Sequence, residues 1–546
     1  MRKLTAALLS VLLVFALVGC TTSQSSSENN SGSADSDNKK EEKGGEKILL
    51  LNNGNEPTSF DPPIGFDSVS WNALNNLMEG LTRLDKDDQP QAATAEDWKV
   101  SDDGKTYTFT IRENAKWSNG DPVTAEDFEY ALKRLADPNT ASPAAFLANF
   151  IEGAKEFNEG TGSADDMKVK AVDEKTLEVT LVAPQNYFLS VISNPAFFPV
   201  HKATVEENKD WATEADTFVG NGPFKLTKWE HSSEFEFKKN ENYWDAENVK
   251  LDGVHWAMID DTNTEYQMFK TGELHQSDVP ADLSEQLFEE GKAQVEDQSG
   301  TYFYRFNVNM EPFQNENIRK AFALSVDQQK IVDFVTKNKE KAAHAFVGPG
   351  FKDPAGGDFR DVGGELVSPD AAKAKELLEK GMKEEGYDTL PKVTMTYNTS
   401  DTHKQIAETM QQMFKETLGV DVELANMEWN VFSDEQKAGK LQFSRSSFLA
   451  DYADPINFME NFQTGHSMNR TGWSNAEFDK LIQDAKAESN EEKRFEMLHQ
   501  AEEILFEEMP IFPIHYYNQV YLEADNVEGI VRHPVGYLEL KWADLK

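Results

Sequence analysis

Cysteine is almost missing from this chain of 546 residues; the only one, Cys20, stands near the start in Leu-Val-Gly-Cys-Thr-Thr. No disulfide can form within such a chain, so its body must be held by a core alone, which roughly 500 residues can supply. Long apolar runs are scarce too: after Leu4–Val18 none reaches membrane length, and a soluble body is expected. Positive charge is in short supply, with 54 Lys and Arg against 96 Asp and Glu, a formal net charge of −42. That balance excludes nucleic acid as a partner and excludes a basic patch for docking on anionic lipid; it suits solubility outside a cell. Enzyme signatures are missing as well. There is no HExxH pair, no GxSxG elbow and no P-loop, and the glycine-rich 348–357 stretch (GPGFKDPAGG) lacks nucleotide-binding spacing. Asp85 and Glu96 have the separation of a calcium loop, but Pro90 replaces the flexible glycine and Ala93 offers no ligand, so 85–96 reads as a solvated acidic turn. No enzyme activity, cofactor or metal is expected.

What is present begins with Arg2 and Lys3, the apolar stretch Leu4–Val18 and small Gly19, which together read as a signal peptide over residues 1–19. The Leu-Val-Gly-Cys that follows resembles the lipobox of bacterial lipoproteins. That resemblance implies lipidation of Cys20, removal of the leader and a membrane-anchored chain. Residues 21–46 contain no aromatic residue and, apart from Ala34, no aliphatic one. They are expected to form a disordered leash whose reach is roughly 25–30 Å. The remainder is long enough for two or three domains.

Two segments alternate with a period of two: Tyr107, Phe109 and Ile111, then Leu177, Val179 and Leu181. Both predict half-buried strands, and between them Thr124 should cap a helix that buries Phe128, Ala131, Leu132 and Leu135. Further on, 393–398 (VTMTYN) reads as a strand. A helix with Ile406, Met410, Met413, Phe414 and Leu418 on one face should follow, stopped by Gly419, and 420–424 (VDVEL) returns as a strand. Strand, helix, strand is the crossover unit of a parallel sheet. Thr402 with Gln405 is the expected capping box, and His403 is expected as the first residue of that helix. There it could donate to an anion at the helix N-terminus. The ten tryptophans and 35 phenylalanines serve a core or the aromatic walls of a pocket, and composition does not separate the two.

Three stretches carry a more specific likeness: 111–143 (IRENAKWSNGDPVTAEDFEYALKRLADPNTASP), 219–261 (VGNGPFKLTKWEHSSEFEFKKNENYWDAENVKLDGVHWAMIDD) and 313–332 (FQNENIRKAFALSVDQQKIV). They resemble the oligopeptide-binding lipoproteins of bacterial ABC importers, within the peptide/nickel-binding family of extracytoplasmic solute receptors. The resemblance runs from about Ile48 to the C-terminus. It implies an α/β fold of the type II periplasmic-binding-protein-like kind, with two α/β lobes that close on the ligand and a smaller third lobe. Carried onto this chain, lobe I takes 47–80, 204–300 and 519–546, lobe II 81–203, and lobe III 301–518.

In 444–458 (SRSSFLADYADPINF) the resemblance makes Asp451 the anchor of a peptide α-ammonium group and associates Arg445, with His403, with the peptide carboxylate. Without it, the Asp-Tyr-Ala-Asp-Pro run would read as a turn. Trp429 matches a pocket wall, Phe448 stands where some relatives have tryptophan, and Tyr302, Tyr304 and Tyr517 lie near other pocket positions. Ala144, where some relatives carry tyrosine, should leave that part of the pocket more open. Main-chain pairing with an extended peptide would supply affinity without reading side chains, and 67–75 and 446–452 are the expected edges for it. The implied partners are short peptides and an integral-membrane ABC permease with its ATPase subunits. A monomer is expected, touching the membrane through its anchor only, on what the leash suggests is a Gram-positive surface. The rival readings are a nickel chelate, haem or a signalling peptide on the same fold, an exported hydrolase, and an extracytoplasmic chaperone.

Overall fold

The computed structural model describes residues 45–280 and 282–546, without the side chain of Asn430. The expected signal peptide, Cys20 and the leash as far as residue 44 lie outside the described residues. No helix among the described residues is long and apolar enough to cross a membrane.

Three larger sheets organise the chain, a mixed α/β fold. Ile48–Asn52 runs parallel to Gly253–Ala257, and Glu234–Lys239 and Phe224–Glu230 complete an antiparallel run in that order. Alternation decides its faces: Leu49, Leu51, Phe235 and Phe237 are buried, while Glu234, Glu236 and His255 lie on the side reached by water. A second sheet is wholly antiparallel, in the order Ala95–Val100, Thr106–Ile111, Thr176–Thr180, Val169–Ala171. The helix Ala125–Ala136 packs on it, and Thr124 and Asp127 form a reciprocal capping box at its start. Tyr107, Phe109, Ile111, Leu177, Val179 and the four helix residues named from the sequence are all buried. The acidic 85–96 stretch is in part a turn: Asp85 accepts the amides of Asp87 and Gln89, joining the paired strands Thr82–Leu84 and Pro90–Ala92.

The third sheet positions the site. Its order is Gln276–Asp278, Ile511–Glu523, Gln294–Phe306, Phe443–Leu449, Val393–Asn398 and Val422–Met427, with Lys341–Ala342 on a further edge of the long 511–523 strand. The 393–398 and 422–427 strands are parallel, with Asp401–Leu418 as the crossover helix. Its cap is Ser400, whose Oγ accepts the amide of His403. The expected Thr402–Gln405 box does not form, because Thr402 already lies inside the first turn and His403 is the third helical residue. Phe306, Phe313, Phe322, Phe443 and Phe512 pack ring to ring on the face of the sheet that also carries Tyr302 and Tyr304, with centroids 4.5–6.4 Å apart.

The two 13-residue strands, 294–306 and 511–523, pair along both their ends and slip register between, from Asp297 opposite Asn518 to Thr301 opposite Tyr516. Gly300 lies in that slip. A Cβ there would stand 2.3 Å from Leu449 Cδ2 and 2.9 Å from the Phe448 carbonyl oxygen, so no other residue allows this close approach.

Candidate functional site

Strand alternation sends the side chains of 443–449 to opposite faces, and its register sets Arg445 opposite Tyr304 and Ser447 opposite Tyr302. On one face Arg445 is buried, with its guanidinium 4.7 Å above the Tyr302 ring. It donates to Tyr517 Oη (3.1 Å) and Asn398 Oδ1 (3.4 Å), its Nε has no partner, and no carboxylate among the described residues pairs with it. Tyr302 Oη lies 3.3 Å from His403 Nδ1, and its ring stacks on His515 at 4.9 Å. Burial, with Arg445 close by, pushes both imidazoles down to about 4, so both are neutral near pH 7 and Arg445 is the cation there. Tyr302, His403, His515 and Tyr517 wall a polar cavity of about 470 Å³.

Phe448, on the opposite face, packs against Phe458 and borders a second, more apolar cavity of about 600 Å³, walled also by Phe66, Phe146, Phe150 and Met468. Asp451 opens into it. Its backbone is held from three directions: its amide donates to Asn457 Oδ1 (2.6 Å), and its carbonyl accepts from Asn194 Nδ2 (3.0 Å) and Tyr537 Oη (2.8 Å). The carboxylate receives only a long 3.4 Å bond from Asn457 Nδ2. Loss of hydration, with like-charged Glu460 nearby, pushes it up to about 7 despite that bond. Glu460 itself is engaged by Lys486 and Tyr452.

A buried arginine without an anion and an aspartate short of a cation thus sit six residues apart in one segment, Arg445 within the strand and Asp451 two residues beyond its end. Between them the edge is open. The 393–398 strand pairs with 443–449 only at Met395–Phe443 and Thr396–Ser444, so Arg445–Leu449 face no strand on that side among the described residues. Ser447, Phe448 and Leu449 border the apolar cavity along this edge.

Asp451 and Phe448 are brought together at one cavity, and His403, Tyr302 and Tyr517 at the other, with Arg445 buried behind Tyr302 and Tyr517 rather than lining it. Two expected wall residues are elsewhere. Tyr304 shares the face of Tyr302 but lies deeper, fully buried against Phe443 and Phe512, and borders neither cavity. Trp429 opens the helix Trp429–Lys437, is 52% exposed and stacks on Phe432, away from both cavities. The 67–75 stretch is no strand edge: Asp67 caps the helix Ser68–Leu77 by accepting the amide of Ser70. Ala144 is buried, and the short helix it precedes places Phe146 and Leu147 on the wall of the apolar cavity. His515, Asn457, Asn194 and Tyr537 were not singled out in the sequence. Only Asn457 carried a local signal, six residues beyond Asp451; the others arrive from distant segments.

The model of the bacterial extracellular solute-binding proteins, family 5 Middle, matches residues 89–470. This chain belongs to that family. It is 64% identical over 493 residues to the dipeptide-binding protein DppE of Bacillus subtilis, covering 90% of this chain and 91% of that protein. Identity to the oligopeptide-binding protein OppA of Bacillus subtilis is 42% over 504 residues, covering 90% and 91%. Among solved structures, Listeria monocytogenes OppA bound to peptide aligns with a TM-score of 0.76 at 32% identity, over 92% of this chain and 100% of that one. The architecture is accordingly periplasmic-binding-protein-like, as the family resemblance implied.

Proposed function

We propose that this family 5 member is an extracytoplasmic receptor that captures short peptides in extended form and delivers them to an ABC permease. The observation that carries the reading is the pair of unmatched charges on one short segment: Asp451, just past the strand and open to the apolar cavity, and Arg445, buried in the strand behind Tyr302 and Tyr517 of the polar one. A free peptide is a zwitterion with complementary ends, and each buried charge gains most when its partner arrives. The open 445–449 edge suits main-chain pairing, which tolerates any side chain. Names of relatives as dipeptide- and oligopeptide-binding proteins support the same substrate class.

The reading extends to the rest of the molecule. Lobe I would comprise 47–80, 204–300 and 519–546, lobe II 81–203 and lobe III 301–518, with the hinge at the register slip of the two long strands. Closure about that hinge would be favoured by the bound peptide. Cys20 would anchor the chain to the outer face of the cell membrane. The protein works as a monomer, and binding involves no chemical step.

Calorimetric titration of the full chain with one tetrapeptide, free, N-acetylated and C-amidated, tests the reading after bound ligand is removed by partial unfolding. The free peptide should bind one to one, and each modification should weaken binding by about tenfold or more. Asp451→Ala should abolish the preference for a free amino terminus. Equal binding of free and acetylated peptides by the parent protein would overturn the assignment.

A further inference from the structure

The outer face of the four-stranded sheet carries a second group of charges unconnected with the cleft residues. Glu234 and Glu236 stand two apart on one strand, and the register sets Glu236 opposite His255 on the next. All three therefore point to one side. One donor atom of each lies within 4.8 Å of the other two, and His255 Nε2 is 2.8 Å from Glu234 Oε2. The neighbours of His255 on that face of its own strand, Gly253 and Ala257, are small and carry no competing charge. Each of the three is partly exposed, at 26–38% of its side chain. Lys228, opposite Glu236 on the third strand, pairs with Glu234 and reaches Glu236 at 3.9 Å and Glu230 at 3.5 Å. Three carboxylates thus share one ammonium. A different arrangement surrounds His231, whose Nδ1 and Nε2 each face their own carboxylate, Glu56 and Glu214, so those two acids cannot share an ion with one ring nitrogen.

We propose that Glu234, Glu236 and His255 form a binding site for a first-row divalent metal ion such as Zn²⁺. An imidazole nitrogen with two carboxylate oxygens is a borderline donor set that suits zinc and disfavours calcium and magnesium, which take oxygen ligands alone. Two adjacent strands fix the spacing of the ligands, and their exposure leaves the remaining coordination position to water. Lys228 holds the carboxylates together in the absence of the ion and must swing aside when it binds, which its long, partly exposed side chain permits.

Titration of the full chain with ZnCl₂ by calorimetry, repeated with MgCl₂, tests the site. One zinc per chain with no saturable magnesium binding is expected. His255→Ala and Glu236→Gln should each weaken zinc binding by at least about tenfold. Lys228→Met should strengthen it, because the competing ammonium is gone; a merely structural ladder of ion pairs would show no such gain. Unchanged tetrapeptide affinity in these variants confirms that they fold. Absence of saturable zinc binding, or binding indifferent to both His255→Ala and Glu236→Gln, would overturn the proposal.

Discussion

Asp451 shows how an unmatched charge makes a residue both useful and costly. Its carboxyl is pushed from an ordinary 3.8 to about 7, so below that pH the ligand-free protein holds it largely protonated and, in the proposed anchoring role, a peptide ammonium would have to displace the proton. Affinity for a free tetrapeptide should therefore fall as pH drops from about 8 to about 5, approaching tenfold per pH unit below about 7, and Asp451→Asn should flatten the profile. The sign for stability is the opposite. The folded form holds the proton more tightly than the unfolded one, so Asp451's contribution to stability is present below 3.8 and lost as pH rises through about 7. Asp451→Asn should accordingly raise the Tm of the empty protein near pH 8 and leave it nearly unchanged near pH 4. Arg445 is a second buried charge, with no carboxylate partner among the described residues. Replacing this buried cation in Arg445→Met should stabilise the empty protein on the order of 1 kcal/mol by denaturant titration while weakening peptides with a free carboxylate. Amidated peptides should bind the variant and the parent alike.

At the scale of elements, local pattern is trustworthy where period and burial agree. The strands 106–111 and 176–180, the helix between them and the 393–427 crossover follow from hydrophobic spacing. Boundaries depend on which of several polar residues wins the cap. Ser400, Asp401 and Thr402 are all competent, and Ser400 wins because it is the residue left extended when the helix begins. Ser400→Ala should cost about 1 kcal/mol of stability, whereas Thr402→Ala should be close to neutral in the same denaturant titration. The 67–75 stretch misleads for a related reason: its small and polar residues suit an edge strand as well as a helix, until Asp67 caps the helix and Trp71, Leu74 and Leu77 find a core to face.

At the scale of the whole molecule, distant segments converge behind Asp451. Asn194 and Tyr537 hold its carbonyl, Ser190 Oγ accepts the amide of Ala453, and Tyr187 stacks on Tyr452 with ring centroids 5.6 Å apart. Beside them Arg494 makes a two-pronged pair with Asp454, at 2.8 and 2.6 Å, and lies 4.7 Å above the Tyr187 ring. Both members of the pair are buried. Arg494→Met should leave Asp454 an uncompensated buried charge and destabilise by about 3–5 kcal/mol in denaturant titration. The double change with Asp454→Leu should recover much of that loss, because removing both charges also removes the desolvation penalty.

What the sequence by itself determined is what depends on neighbours along the chain. Hydrophobic period set the strands and helices, a single cysteine left the chain without an internal disulfide, and the family likeness of the motif around Asp451 singled that residue out as the proposed anchor. Tertiary structure decided which residues share a cavity. Strand alternation turned Phe448 and Arg445 to opposite faces, so one short segment serves an apolar and a polar chamber. Depth along the sheet separated Tyr302 from Tyr304 although both point the same way, since Tyr302 packs on His403, His515 and Tyr517 at the wall of the polar cavity and Tyr304 on Phe443 and Phe512 beneath it. His515, Asn194 and Tyr537 joined the candidate site only when segments far apart in sequence were brought to the same place, and burial, the largest cause that moves Asp451 and His403 from their ordinary titration, belongs to the folded chain.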